Sequence, residues 1–328
     1  MHFETQGSAP EAITSVVTGA FGFSGQQIAK SLLLRGEKVR TLTNHPQPES
    51  PLSGRVQVSP LDFANTKQLT ESMRGASVLY NTYWVRFSYG GLSHERAVQN
   101  TKALIHAAEA AGVKRIVHVS ITNPSIDSPL PYFKGKAELE QAIQSSSLSY
   151  VILRPAVLFG EGDILINNIA FMLRRFPLFA IPGNGEYHVQ PIFVDDLAEL
   201  AVDGGQRSDS YTVDAVGPES YAYTELVKMI RNAVGSKSLI VHLPPAIIRL
   251  ASVVLGAILK DVVLTEDEIK GLMADLLFSP RPPTGHTSLK SWVKSHAETI
   301  GNSYASELAR HYPLPETRGG VRAQPALP

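Results

Sequence analysis

An open, doubly wound parallel sheet followed by a smaller lobe is the fold class this sequence predicts. Two observations carry it. Short β-branched runs alternate with helical periodicities through the first half, and the first run leads into three glycines at three-residue spacing before a helix. Strands alternating with helices imply βαβ units, a parallel sheet and right-handed crossovers, with helices on both faces. At 328 residues the chain can bury a large core.

The elements follow in order. Residues 13–18 form a strand, 26–35 a helix stopped by Gly36, and 38–43 a second strand. Residues 45–59 are rich in proline and serine and read as loop, with a short strand at 56–61. A helix at 66–74 ends at Gly75, and 77–83 is a strand. The helix at 92–111 ends at Gly112, and 115–120 is a strand. Residues 132–145 are helical, and the strand at 150–154 stops at Pro155. Beyond Pro155 the pattern loosens. Helices are expected at 164–175, 196–204 and 223–234, a strand at 211–215, and mostly helix from 239 to 312. Asp196 with Glu199 three residues later reads as a capping-box start for its helix.

Composition excludes several classes. Thirty basic residues balance 30 acidic ones, which argues against a nucleic-acid footprint. With no cysteine, there is no disulfide scaffold, thiolate metal site or cysteine nucleophile. The ten histidines show no ligand spacing, so no metal is expected. Residues 1–12 lack signal-peptide character, and no stretch reaches the ~20 apolar residues of a membrane span. The nearest, 246–259, is interrupted by Arg249, Ser252 and Gly256. It reads as a buried or partly buried helix, with a membrane-surface helix as the rival. The default location is cytoplasmic.

The glycine run is Thr18-Gly19-Ala20-Phe21-Gly22-Phe23-Ser24-Gly25. Gly19 permits a tight turn, Gly22 lets a pyrophosphate approach, and Gly25 lets the helix pack close to the strand; the helix N-terminus then offers free amides. Phe21 and Phe23 belong to the same cofactor loop. The second strand ends in Thr43, Asn44 and His45 without a carboxylate, which favours NADP and leaves NAD open. Asp62 is placed to bond an adenine amino group or to serve as a turn aspartate.

Tyr132 and Lys136 stand one turn apart on a helix that follows the strand RIVHVSIT. An ammonium near a phenol lowers its pKa, which suits acid/base work.

TGAFGFSG, VSIT, YFKGK, YVILRP and FVDDLAEL together resemble the short-chain dehydrogenase/reductase superfamily, in its extended or atypical branch, over about residues 12 to 235. Within it the chain is similar to the group containing the NADPH-binding accessory subunit of respiratory complex I. The resemblance implies a Rossmann domain with a mainly helical C-terminal substrate lobe. It implies Tyr132 as acid/base, Lys136 as its partner, and a catalytic hydroxyl from Ser120 or Thr122. It also implies cofactor contacts from Asn81, Thr82, Asn100, Pro155 and Val157.

The expected division is 12–158 plus 191–216 for the dinucleotide domain, 159–190 plus 217–312 for the substrate lobe, and flexible tails at 1–11 and 313–328. The aromatic loop 83–91 reads either as a lid at the nicotinamide mouth or as packing against the second lobe. Tyr83, Trp84 and Phe87, with Phe159 from the lobe, would wall an apolar carbonyl or alcohol substrate, and Phe171 and Phe179 could add to that wall. The leading function is an NAD(P)-dependent oxidoreductase, with a homodimer allowed. An NAD-dependent epimerase or dehydratase, and a cofactor-binding accessory or sensor protein without catalysis, are the rivals.

Overall fold

The structure, a computed structural model, describes residues 14–311; the two expected tails lie outside the described residues. The sheet contains β1 (Thr14–Thr18), β2 (Lys38–Leu42), β3 (Gln57–Ser59), β4 (Val78–Asn81), β5 (Arg115–Val119), β6 (Ser149–Pro155) and a last strand, Tyr211–Ala215. All seven are parallel, in the order last strand, β6, β5, β4, β1, β2, β3. The order reverses between β1 and β4, and such a switch point opens a crevice at the carboxyl ends of the strands.

Four helices connect the first six strands: α1 (Phe23–Leu34), α2 (Thr66–Met73), α3 (His94–Ala111) and α4 (Pro131–Gln144). Ile28 and Leu32 of α1 join one core layer. Leu69 and Met73 of α2, Leu104 of α3 and Ile143 of α4 join the layer on the opposite face. The local chemistry explains the ends. Ser93 caps α3 by accepting from the Arg96 amide, and Gly112 closes it with φ 82°, a left-handed angle that favours glycine. Pro131 opens α4, where a missing N–H costs nothing.

After β6 the chain makes β7 (Val157–Phe159), α5 (Leu165–Arg175), β8 (Leu178–Pro182), β9 (His188–Val189) and β10 (Pro191–Phe193). It then returns to the large sheet through α6 (Val194–Gly205) and β11 (Tyr211–Ala215). Leu197 and Ala201 of α6 share the core layer of α1. The rest is β12 (Tyr221–Ala222), α7 (Tyr223–Ala233), β13 (Leu239–Leu243), α8 (Pro245–Leu259), α9 (Glu266–Met273), α10 (Leu289–Ser295) and α11 (Glu307–His311). A separate core joins Ile166, Ile169, Leu173, Leu226, Ile230 and Val293.

Two features differ from expectation. Residues 239–243, expected in a mostly helical region, form β13, which pairs in parallel with β8. Asp196 does not cap α6, which starts two residues earlier with no side-chain cap. Its carboxylate accepts from the amides of His286 and Thr287, both at 2.8 Å, and from the Thr287 hydroxyl at 2.8 Å. It therefore ties the large domain to the loop before α10.

Replacing Asp196 by Ala should cost about 2–4 kcal/mol, because buried amides lose their acceptor. Urea unfolding measures it. A loss of only a few tenths of a kcal/mol would mean that this carboxylate does not hold the loop.

Candidate functional site

The glycine turn sits at the end of β1, beside the switch point. Gly19 has φ 65°, and its carbonyl accepts from the Gly22 amide at 2.8 Å. An added Cβ on Gly25 would lie 2.3 Å from the Gly19 oxygen, and one on Gly22 would lie 3.2 Å from it. Only glycine permits the first approach. The amides of Phe23, Ser24 and Gly25 have no hydrogen-bond partner among the described residues, and the first turn of α1 carries no acidic side chain. Free amides at a positive dipole end suit a pyrophosphate, so the residues present fit a dinucleotide.

Several expected cofactor residues build this turn. The Thr82 amide donates to the Thr18 hydroxyl at 2.8 Å, and the Thr82 hydroxyl donates to the Thr18 carbonyl at 2.6 Å. Asn81 accepts from the Thr18 hydroxyl and from the Tyr83 amide, both at 3.1 Å. Asn44 makes two bonds to the Leu61 backbone, and Asp62 accepts from the Ala64 amide at 2.9 Å as a turn aspartate. Asn100 donates to the Tyr83 hydroxyl at 2.8 Å. The Pro155 carbonyl accepts from the Thr122 amide. Arg40, at the middle of β2, spends its guanidinium on Gln57 and on the carbonyls of Ser72 and Arg74.

The tyrosine–lysine pair is arranged around Trp84. The indole lies against Gly135, whose added Cβ would meet it at 2.9 Å. Its ring centre is 4.5 Å from the Lys136 ammonium and 5.5 Å from the Tyr132 ring. His94 stacks on the indole at 5.8 Å and meets the Tyr132 ring edge-on at 5.7 Å. Lys136 donates to the Val119 carbonyl at 2.7 Å. Ser120 donates to Glu140 at 2.6 Å, and Glu140 in turn is paired with Arg154 at 2.5 Å. Thr122 donates to the Leu276 carbonyl at 2.7 Å. The Tyr132 hydroxyl has no hydrogen-bond partner among the described residues.

Tyr132 lines an apolar cavity of about 940 Å³ between the two lobes. The cavity runs from Phe23 and Val157 to Phe179 and the inner side of α8. Of the expected substrate wall, Phe87 lines it. Tyr83 turns to Phe63, 4.8 Å between ring centres, and Phe159 is fully buried between Phe193 and Trp292. Phe171 packs on Tyr304. The aromatic loop is pinned by a two-residue turn. Tyr89 and Leu92 exchange backbone hydrogen bonds around Gly90 and Gly91, at φ 58° and 86°.

Four charged residues at the cavity, Arg86, Glu268, Glu307 and Arg310, had no signal in sequence spacing. Arg86 donates to Glu268 at 2.5 Å and approaches Glu307 at 4.0 Å. Arg310 lies over the Phe23 ring at 5.9 Å and donates to the Gly162 carbonyl. These partners are brought together only by tertiary folding.

Burial raises the Tyr132 phenol above its ordinary range, with Glu268 adding to the rise and Arg86 opposing it. A tyrosine beside lysine predicts the opposite. The reason for the difference is that the ammonium faces the indole and the Val119 carbonyl. Burial pushes Lys136 itself down to about 7, against weak support from Glu140. Its unfolded value is 10.5. Below pH 7 the charged amine costs folding its full penalty. As pH rises from about 7 toward 10.5 the unfolded chain binds the extra proton, so stability rises. Lys136→Met should remove that rise. Urea midpoints of both proteins across this range decide it, and parallel slopes would mean that the amine stays charged in the folded state.

Residues 19–167 match the family described as NAD(P)H-binding. The chain is 25% identical over 250 residues to the mitochondrial NADH dehydrogenase [ubiquinone] 1 alpha subcomplex subunit 9 of Arabidopsis thaliana, covering 72% of this chain and 62% of that one. It is 27% identical over 209 residues to the 2-alkyl-3-oxoalkanoate reductase of Stenotrophomonas maltophilia, covering 56% and 62%. The chain thus spans under two thirds of either relative. Among solved structures, the NADPH-dependent quinone oxidoreductase QOR2 of Escherichia coli, complexed with NADPH, shares the fold with TM-score 0.70 at 20% identity, covering 86% and 99%. Among the described residues no helix is long and apolar enough to cross a membrane, and no cluster of three ligating side chains could hold a metal. With the glycine turn at the switch point, the described residues form a Rossmann-type domain, of which residues 19–167 match the NAD(P)H-binding family.

Proposed function

We propose that this protein is an NADP(H)-dependent oxidoreductase acting on an apolar carbonyl or alcohol, in the cytoplasm. The observation that carries the reading is that Tyr132, whose hydroxyl has no partner among the described residues, lines an apolar cavity that Phe23, the first residue of α1, also lines. Bound NADPH would supply a hydride to the carbonyl carbon.

The chain's residues do the rest. Gly19, Gly22 and Gly25 admit the pyrophosphate. No carboxylate follows β2 to repel a 2′-phosphate, which favours NADPH over NADH. Tyr132, kept protonated by burial, gives its proton to the substrate oxygen as the C–O π electrons move there. Lys136, one turn on from Tyr132 on α4, supports the resulting phenolate electrostatically. Ser120 and Thr122 serve as frame: their hydroxyls hold α4 and residue 276 at the mouth, so Tyr132 is the polar partner of the oxygen. The apolar wall suits an alkyl-bearing ketone, a class that the name of the Stenotrophomonas reductase also describes.

A second reading, cofactor binding without turnover, is favoured by the internal bonds of Lys136 and Ser120. One experiment separates them. NADPH consumption is followed with alkyl ketones of increasing chain length, in wild type and Tyr132→Phe. Catalysis predicts a loss of ~10²–10⁴-fold with cofactor affinity unchanged. An unaltered rate would remove the phenol from the mechanism, and the absence of turnover with every ketone would favour the binding-only reading.

A further inference from the structure

We propose that the outer face of α8 docks this protein on an anionic lipid bilayer, with the mouth of the cavity against the membrane surface. The helix is apolar on two sides. Ile248 and Leu255 line the cavity. Ile247, Leu250, Val253, Val254 and Ile258 point outward, each 48–67% exposed. Phe176 and Leu178 are exposed as well as cavity-lining, which places them at the rim. Leu239, 63% exposed, is paired with Leu178 across β8 and β13. A 15-residue helix is about 22 Å long, too short to span a bilayer and suited to lie in its interface.

Charge selects the occupant. No acidic residue occurs from 226 to 260, whereas Lys228, Arg231, Lys237, Arg249 and Lys260 do. Arg249 is paired with Glu266 at 2.7 Å. Lys237, before β13, and Lys260, at the end of α8, are exposed and have no ion pair among the described residues. A second copy of the chain would set these like charges against each other, whereas anionic headgroups would neutralise them. The docking rests on no step of the reaction; only the corollary, that an alkyl substrate enters from the bilayer, rests on the function proposed above.

The test is flotation of the full chain with vesicles of phosphatidylcholine, with and without phosphatidylglycerol. The wild type should float with the mixed vesicles and more weakly with the neutral ones. Lys237→Gln with Lys260→Gln should weaken binding to mixed vesicles by about 30-fold and leave the neutral ones unaffected. Leu250→Glu with Val254→Glu, both at exposed positions, should abolish binding to either while keeping the far-UV spectrum and thermal midpoint. A wild type that does not float, a glutamate pair that floats equally well, or a dimer seen by light scattering that this pair dissolves in place of vesicle binding would overturn the proposal. Turnover is not read, so failure here is distinct from failure of the reductase reading.

Discussion

The approach of Gly25 to the Gly19 carbonyl is the contact on which the rest depends. It lets α1 start with only four residues between it and the end of β1, with the amides of Phe23, Ser24 and Gly25 unpartnered among the described residues beside the switch point. Thr18, Asn81 and Thr82 lock that geometry by bonding β1 to β4. The polar side chains at this corner thus serve mainly the turn. What remains for a phosphate is backbone and dipole, which is how a helix N-terminus recognises an anion without a dedicated cation.

The chemistry around Tyr132 is governed by burial. The Trp84 indole, 4.5 Å from the ammonium, helps to keep the Lys136 head in a dry setting, where its own charge is penalised. The Ser120–Glu140–Arg154 chain shows the contrasting solution, a buried carboxylate satisfied by a guanidinium and a hydroxyl. Both arrangements fix α4 against β5 and β6 and so fix the position of the phenol at the cavity wall.

Much of this was legible in the sequence. β-branched runs and helical periodicities marked the large sheet, because its central strands β1, β4, β5 and β6 are largely buried on both faces and its helices are amphipathic. The glycine spacing marked the turn, since its cause is local. Long-range pairings were not legible. β8 and β13 are short, partly exposed strands, each depending on a partner some sixty residues away. Asp196 looked like a local cap, but its partners lie 90 and 91 positions on. Arg86 meets Glu268 across 182 positions. The placement of Trp84 follows from Gly135, whose missing side chain makes room for the ring, a cause that no spacing rule reads.

The central claim is that the glycine turn of β1 and α1 holds a nicotinamide dinucleotide. Fluorescence titration of NADPH and NADH against wild type and Gly25→Ala tests it most directly. The account predicts saturable binding by the wild type, tighter for NADPH, and at least about tenfold weaker binding by a folded Gly25→Ala, because its Cβ forces the turn open. A wild type that binds neither nucleotide, or a folded variant with undiminished affinity, would contradict it.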